Sequence, residues 1–317
     1  MGTVTAPWTQ FHRNHRPAGW HCWSVLPSRG EPTSSAKGTL LQYDLADLHV
    51  HTYCSDGLRT PTEAVEQARD AGVRILGLTD HDSVAGIPEA MEAGKALGVK
   101  LVPGTELSAF ACGREIHLLA YFFDWRSQTL VDYLAMFQKR RYARGVAIVE
   151  RLNDLGIQLS IGDVMAEAEG GLVGRPHVAA ALVACGAVAS KEEAFDRYIG
   201  DRKPAVVAKP NASAKDVICM VHRIGGVAVL AHPGASCPEA LVTELIGVGL
   251  DGIEVYHPAH LPPQIDHYSR LVERFGLVAS GGSDSHGEPT GSVIGSCGIG
   301  CEAVETLEAR AAAHASS

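Results

Sequence analysis

From Asp44 onward the apolar residues come in short blocks whose spacing alternates between two periods. Leu45 to Val50 reads as a buried strand, and Val73 to Leu78, Lys100 to Val102 and Ile116 to Phe123 repeat that form. Helical stretches lie between them. Pro61 to Ala71 has Thr60 as N-cap, Pro61 at the first helical position and Gly72 just past its end, and Ile87 to Leu97 is closed by Gly98. Strands alternating with helices predict an α/β fold on a parallel sheet, open or closed into a barrel.

The rhythm breaks over residues 125–208. Ser127 to Leu155 is one long helical pattern ending at Gly156, and Gly162 to Glu169, Pro176 to Cys185 and Lys191 to Ile199 are shorter ones. No segment there reads as a strand, so the stretch is an all-helical insertion. Alternation then resumes. Helices Ala214 to Ile224, Pro238 to Val248 and Pro263 to Phe275 interleave with strands Val227 to Ala231, Gly252 to Tyr256 and Leu277 to Ser280. The barrel is thus expected in two pieces, 44–124 and 209–303, with residues 304–317 as a C-terminal tail. Residues 1–43 show neither period. They read as an extension outside the fold, or as an over-long start, and the irregular spacing of His12, His15, His21 and Cys22 argues against a metal site there.

Composition narrows the class. Hydrophobic residues make up 46% of 317, enough for a substantial core, and the net charge of −9 disfavours a broad nucleic-acid surface. The eight cysteines form no CxxC pair, so reduced thiols in a cytoplasmic protein are expected. No apolar run is long enough to span a membrane, and no obligate protein partner is evident.

The chemistry sits where strands end. His49 and His51 are one residue apart on a strand, so both imidazoles point to one face. Asp56 follows in Ser55-Asp56-Gly57, a sequence that also suits an ordinary turn. Asp80-His81-Asp82 closes an apolar strand, where ionisable groups need partners to offset desolvation. Glu106 follows Pro103-Gly104 just past a strand, and His117 sits inside one, a place equally suited to a core histidine. His232-Pro233, His257-Pro258 and Asp284-Ser285-His286 end three further apolar runs. Each pair alone is ambiguous, but their shared topological position is that of active sites in α/β barrels and open sheets. These nitrogen and oxygen donors suit hard or borderline divalent cations in a hydrolytic site.

The segments H-V-H-T-Y-C-S-D-G at 49–57, T-D-H-D at 79–82, P-G-T-E at 103–106, H-L at 117–118, H-P at 232–233 and G-S-D-S-H at 282–286 resemble, in order, those of the polymerase-and-histidinol-phosphatase (PHP) superfamily. The resemblance covers residues 44–300 and implies a distorted (βα)₇ barrel with a trinuclear metal centre. Carried onto this chain, it places His49, His51, Glu106 and Asp284 on a first cation. Glu106 is shared with His117 and His232 on a second, and Asp56, His81 and His286 hold a third. Two to three divalent ions are implied, manganese foremost, with zinc and iron suited to the same donors. Asp284 would accept a proton from the attacking water, and His257 would touch substrate or donate a proton. Asp80 and Asp82 would orient His81 or its loop.

The insertion carries Arg140-Arg141-Tyr142-Ala143-Arg144 and Gly174-Arg175-Pro176-His177. It is similar to that of the subfamily of 3′,5′-nucleoside bisphosphate phosphatases and 5′–3′ exoribonucleases acting on short RNA. A basic helix face can also be merely solvated. On the resemblance, Arg140, Arg141, Arg144, Arg175 and His177, with Asp56, are the substrate-binding candidates, because guanidinium binds phosphate bidentately. The partner is then a nucleotide or a short RNA. Rivals are a histidinol-phosphate-type phosphomonoesterase, a processive exonuclease and a non-catalytic PHP module, the last disfavoured because all nine ligand positions are kept.

Overall fold

Six consecutive buried residues, Leu45–Val50, form strand β1, and their burial on both faces is what a central parallel strand requires. The computed structural model describes residues 44–168, 173–207, 212–235 and 237–315. The expected extension at 1–43 and its histidines lie outside the described residues. Helix α1 (Pro61–Asp70) is fixed at its start by a capping box in which Thr60 and Glu63 satisfy each other's backbone N–H. Strand β2 (Val73–Leu78) and helix α2 (Ile87–Leu97) follow as the pattern predicts.

Strand β3 departs from it. It runs Lys100–Ala111, well past the expected Val102, and hairpins into β4 (Arg114–Tyr121). Pro103-Gly104 looks like a turn but is not one. A Cβ on Gly104 would lie 2.8 Å from the Leu78 carbonyl, so glycine here permits close strand approach. Helices α3 (Gln128–Asp154), α4 (Ile161–Glu167), α5 (Arg175–Ala184) and α6 (Lys191–Ala194, continued by a π-helical turn Phe195–Ile199) make up the inserted segment. They enclose an apolar cluster of their own, including Ile148, Leu152, Val164, Val178, Leu182 and Ile199.

The chain returns through α7 (Ala214–Arg223), β5 (Val227–Leu230), α8 (Glu239–Gly247), β6 (Gly252–Tyr256), α9 (Pro262–Phe275), β7 (Val278–Gly281) and a two-residue β8 (Ile299–Gly300). The sheet order is β7-β6-β5-β4-β3-β2-β1-β8. The sheet is not wholly parallel: β4 is antiparallel to both β3 and β5, because the β3–β4 connection is a tight hairpin with no crossover helix. Beyond β7 the chain turns back beside β1, with Asp284 N–H donating to His49 O (2.8 Å) and His51 N–H to Ser285 O (3.0 Å), so the sheet nearly closes. The interior is filled by Leu48, Leu119, Tyr121 and Val229, among others.

Where a C-terminal tail was expected from residue 304, residues 304–315 are helical and packed. They belong to helix α10 (Cys301–Ala315), whose Val304, Leu307 and Ala311 are buried against that interior cluster. Three apolar residues in an Ala- and Glu-rich stretch were too sparse a stripe to mark a packed face.

Candidate metal centre

Five histidines converge on one carboxylate. Glu106 lies within β3, fully buried, rather than on a loop. Its Oε2 is 3.1 Å from His49 Nε2, 3.2 Å from His51 Nε2 and 3.3 Å from His81 Nδ1. Its Oε1 is 2.7 Å from His117 Nδ1 and 2.8 Å from His232 Nε2. The two oxygens thus face two different ligand groups, which is what a bridging carboxylate does. Asp284 Oδ1 closes the first group at 3.3 Å from His49 and 3.2 Å from His51. Asp56 faces the remaining imidazoles, 3.4 Å from His286 Nε2 and 3.7 Å from His81 Nε2. Donor atoms of His51, Asp56, His81 and His286 lie within 4.8 Å of one another, as do those of His49, His51, Glu106 and Asp284, and those of His81, Glu106 and His117.

Three of the six non-glycine residues with positive φ among the described residues lie here. Asp82, His232 and Asp284 all have positive φ (46°, 25° and 50°), a region that non-glycine residues enter at a cost of about 1–3 kcal/mol. Each sits beside or within the donor set, where the turn at a strand end aims a side chain inward.

The charges fit a cation. Burial alone would raise the Glu106 carboxyl, yet His81, His117 and His49 overcome it and hold it well below the usual range. Burial also works against Asp284, but its hydrogen bonds with His257 and His51 keep it ionised. Burial opposes a proton on His51, but Asp284 and Glu106 push that imidazole up to about 9, whereas burial takes His81 down to about 4. A bound divalent ion displaces such a proton. His51 Nδ1 is buried with no hydrogen-bond partner among the described residues, as expected of a nitrogen that needs something other than protein. The nitrogen-and-oxygen donor set therefore fits divalent metal ions.

Around the donors stands a set of buried carboxylates. Glu254, fully buried on β6, accepts from His49 Nδ1 (2.9 Å) and from the His232 N–H (2.7 Å), fixing which nitrogen of His49 faces the cluster. Asp47 on β1 accepts the backbone N–H groups of Ser283 and Gly295, both at 2.8 Å, and so ties the Asp284 loop to β1. Sequence reading missed both. The available signal was a single acid inside an otherwise apolar strand, which cannot be buried without partners. Asp80 takes the Thr52 N–H and the Thr52 and Ser55 hydroxyls, each at 2.7 Å, and holds the loop bearing Asp56. His257 Nδ1 accepts the Ala259 N–H, leaving Nε2 3.2 Å from Asp284 Oδ2.

The basic candidates divide. Arg141 reaches from α3 into the barrel, where Nη2 lies 2.5 Å from Asp82 Oδ2, directly after the cluster residue His81. Arg144 donates to Val207 O at 2.9 Å, and burial, then the like charges of Arg175 and Arg141, hold its pKa below the usual range. Arg175 donates to Asp201 at 2.9 Å. Arg140 is exposed on α3, in a shallow depression with Asp132, Met136 and Lys139. His177 Nδ1 accepts the Gly174 N–H (3.1 Å) and so caps α5. A pocket of about 480 Å³ opens beside the cluster, lined by His117, His232, Arg114, Glu115 and Cys237 among others.

Histidines and carboxylates collected at the strand ends of a nearly closed α/β sheet are the layout of a metal-dependent barrel hydrolase. The chain belongs to the PHP domain family, whose sequence profile matches residues 47–234. It is 36% identical over 245 residues to the 5′-3′ exoribonuclease of Haemophilus influenzae, covering 76% of this chain and 89% of that protein. It is 33% identical to the phosphoribosyl 1,2-cyclic phosphate 1,2-diphosphodiesterase of Eggerthella lenta, covering 77% of this chain and 95% of that one. It is 31% identical to the 3′,5′-nucleoside bisphosphate phosphatase of Chromobacterium violaceum, over 76% and 86% of the two chains. A crystal structure from Bifidobacterium adolescentis, described as a candidate metal-dependent phosphoesterase, superposes with a TM-score of 0.75 at 33% identity, covering 84% of this chain and 96% of that one.

Proposed function

We propose that this protein is a metal-dependent phosphoesterase that removes the 3′-phosphate of nucleoside 3′,5′-bisphosphates to leave 5′-mononucleotides, and that also trims short 5′-phosphorylated RNA from its 5′ end. The observation that carries the reading is the Arg141–Asp82 contact, which brings the basic face of the insertion up to the loop bearing His81. One phosphate can then meet the cluster while a second meets arginines.

His49, His51, Glu106 and Asp284 would hold a first ion, Glu106, His117 and His232 a second, and Asp56, His81 and His286 a third, with manganese foremost. The ions supply Lewis-acid polarisation of the phosphate and activation of water. The protein does the rest. Asp284, kept ionised, accepts the proton of the attacking water. His257, whose Nδ1 accepts the Ala259 N–H, donates its Nε2 proton to Asp284 Oδ2 and so orients that carboxylate, from which the proton passes to the leaving 3′-oxygen. Arg141, Arg144 and Arg175 grip the phosphate that stays, each retaining N–H donors beyond the ones its protein partner uses. Arg140, exposed on α3 about 100° round from Arg141, is left out of this grip.

The Eggerthella relative keeps a second reading open, hydrolysis of a cyclic ribose phosphodiester. A panel separates the cases, read by phosphate release for the monoesters and by chromatography of the nucleotide or ribose-phosphate products for the diesters: nucleoside 3′,5′-bisphosphates, 5′-phosphorylated dinucleotides, histidinol phosphate and ribose 1,2-cyclic phosphate. The bisphosphates should have the highest kcat/KM. A preference for histidinol phosphate or for the cyclic ester would overturn the proposal.

A further inference from the structure

A second group of metal-type side chains lies at the other end of the barrel. His222 closes α7, Asp251 precedes β6, and His314 sits near the end of α10. These positions are at the amino ends of β5 and β6, whereas the metal centre occupies the carboxyl ends. His222 Nε2 is 2.8 Å from Asp251 Oδ2, and His314 Nε2 is 2.9 Å from Oδ1. The two rings stack at 3.8 Å, and one donor atom from each of the three residues falls within 4.8 Å of the others. We propose that His222, Asp251 and His314 form a further cation site, suited to Zn²⁺, that clasps the C-terminal helix to the base of the barrel.

The chemistry of the donors supports this. Two imidazoles and one carboxylate are a common zinc set, and the fourth position would go to water. Asp251 is 2% exposed and its carboxylate is fixed by the Ala228 N–H at 2.9 Å, the kind of outside hydrogen bond that holds a metal ligand in place. The imidazoles are about a quarter exposed, so an ion can enter from solvent. Binding needs each ring to carry its proton on Nδ1, freeing the Nε2 lone pair, and the stacked rings to open slightly so that the lone pairs converge. The Arg310 guanidinium, 3.8 Å from Asp251 Oδ1, competes for the carboxylate and must share it or swing away. The three donors come from separate elements, so one ion would lock α7, the β6 entry and α10 together.

Two measurements on the full chain decide the matter. Protein loaded with Zn²⁺ and then washed is crystallised and measured at the zinc absorption edge. An anomalous peak bounded by His222 Nε2, His314 Nε2 and Asp251 is expected, and its absence, with peaks at the catalytic cluster, would overturn the proposal. In solution, His314→Gln and His222→Gln should each bind one equivalent of zinc fewer than the parent while phosphate release stays unchanged. Unchanged stoichiometry in both would show that the cluster is a hydrogen-bonded clamp and nothing more.

Discussion

Glu106 touches more of the site than any other side chain, and the cost of changing it should show that. Glu106→Gln loses the charge between five histidines, and should lower kcat by well over ~100-fold and reduce bound metal. Asp82→Asn leaves every donor atom in place and disturbs only Ser108 and Arg141 (Oδ1 accepts the Ser108 N–H at 2.9 Å), so its loss should stay within about 10- to 100-fold. Equal losses in activity and metal content would contradict the bridging role. Glu254→Gln is the sharper test of the outer carboxylates, because it alters no donor atom yet frees His49 to turn. It should weaken metal affinity by about 10- to 100-fold, read by competition with a chelating dye. The arginines should behave differently. If Arg175 holds the phosphate that is not cleaved, Arg175→Ala should cost roughly 1.5–3 kcal/mol, about 10- to 150-fold in kcat/KM, on a bisphosphate. Hydrolysis of a simple aryl phosphate should hardly change. A matching loss on both substrates would move Arg175 from recognition to catalysis or to the fold.

Among the elements, α10 makes the clearest stability prediction. Val304 and Leu307 are essentially inaccessible, and burying each contributes about 1.5–3 kcal/mol. Truncation before Cys301 should therefore remove about 3–6 kcal/mol from a domain whose total is of order 5–15 kcal/mol. A fall in Tm of about 10 °C or more in thermal melts is expected, and an unchanged Tm would show that the helix only rests on the barrel. The β3–β4 hairpin has a functional counterpart. By running antiparallel it brings Glu106 and His117 from adjacent strands to the same opening, since Ser108 and His117 are paired and Glu106 lies two residues away on the same face. A crossover helix would have separated them. In the inserted segment, α3 is long enough to carry Arg141 into the barrel while Ile148 and Leu152 pack into the helical cluster.

For the molecule as a whole, the histidine and carboxylate cluster is a concentration of buried charge that protein groups alone leave incompletely satisfied. Removing divalent ions with a chelator should abolish phosphate release, and Mn²⁺ should restore it. Re-addition at about 100 times Kd should stabilise the fold by about 2.7 kcal/mol, raising Tm by roughly 5–10 °C. Full activity in chelator would rule out the metal-dependent reading. The net charge of −9 is compatible with anionic substrates because the cations supply the attracting field locally. Among the described residues no helix is long and apolar enough to cross a membrane.

The sequence by itself determined the alternation of strands and helices, the helical interruption and nearly every metal-type donor. The reason is local. Strand burial writes a continuous apolar run, and an ionisable residue at its end, such as His81 or His232, stands out against it. What pairs with what is a matter of distance in space, and only the tertiary structure decided it. Glu106 looked like a loop residue because Pro103-Gly104 imitates a turn, whereas the folded sheet uses that glycine for close approach and sets Glu106 among five imidazoles. Glu254 and Asp47 were single acids in apolar strands, and their partners lie on β1, just after β5 or beyond β7. Arg140 and Arg141 are neighbours in sequence, yet the 100° step between them on α3 sends one to solvent and the other to Asp82. The α10 face escaped notice because three spaced apolar residues form a stripe only when a barrel base lies beneath them. Residue chemistry is readable one position at a time, whereas convergence, bridging and packing depend on contacts that sequence order does not record.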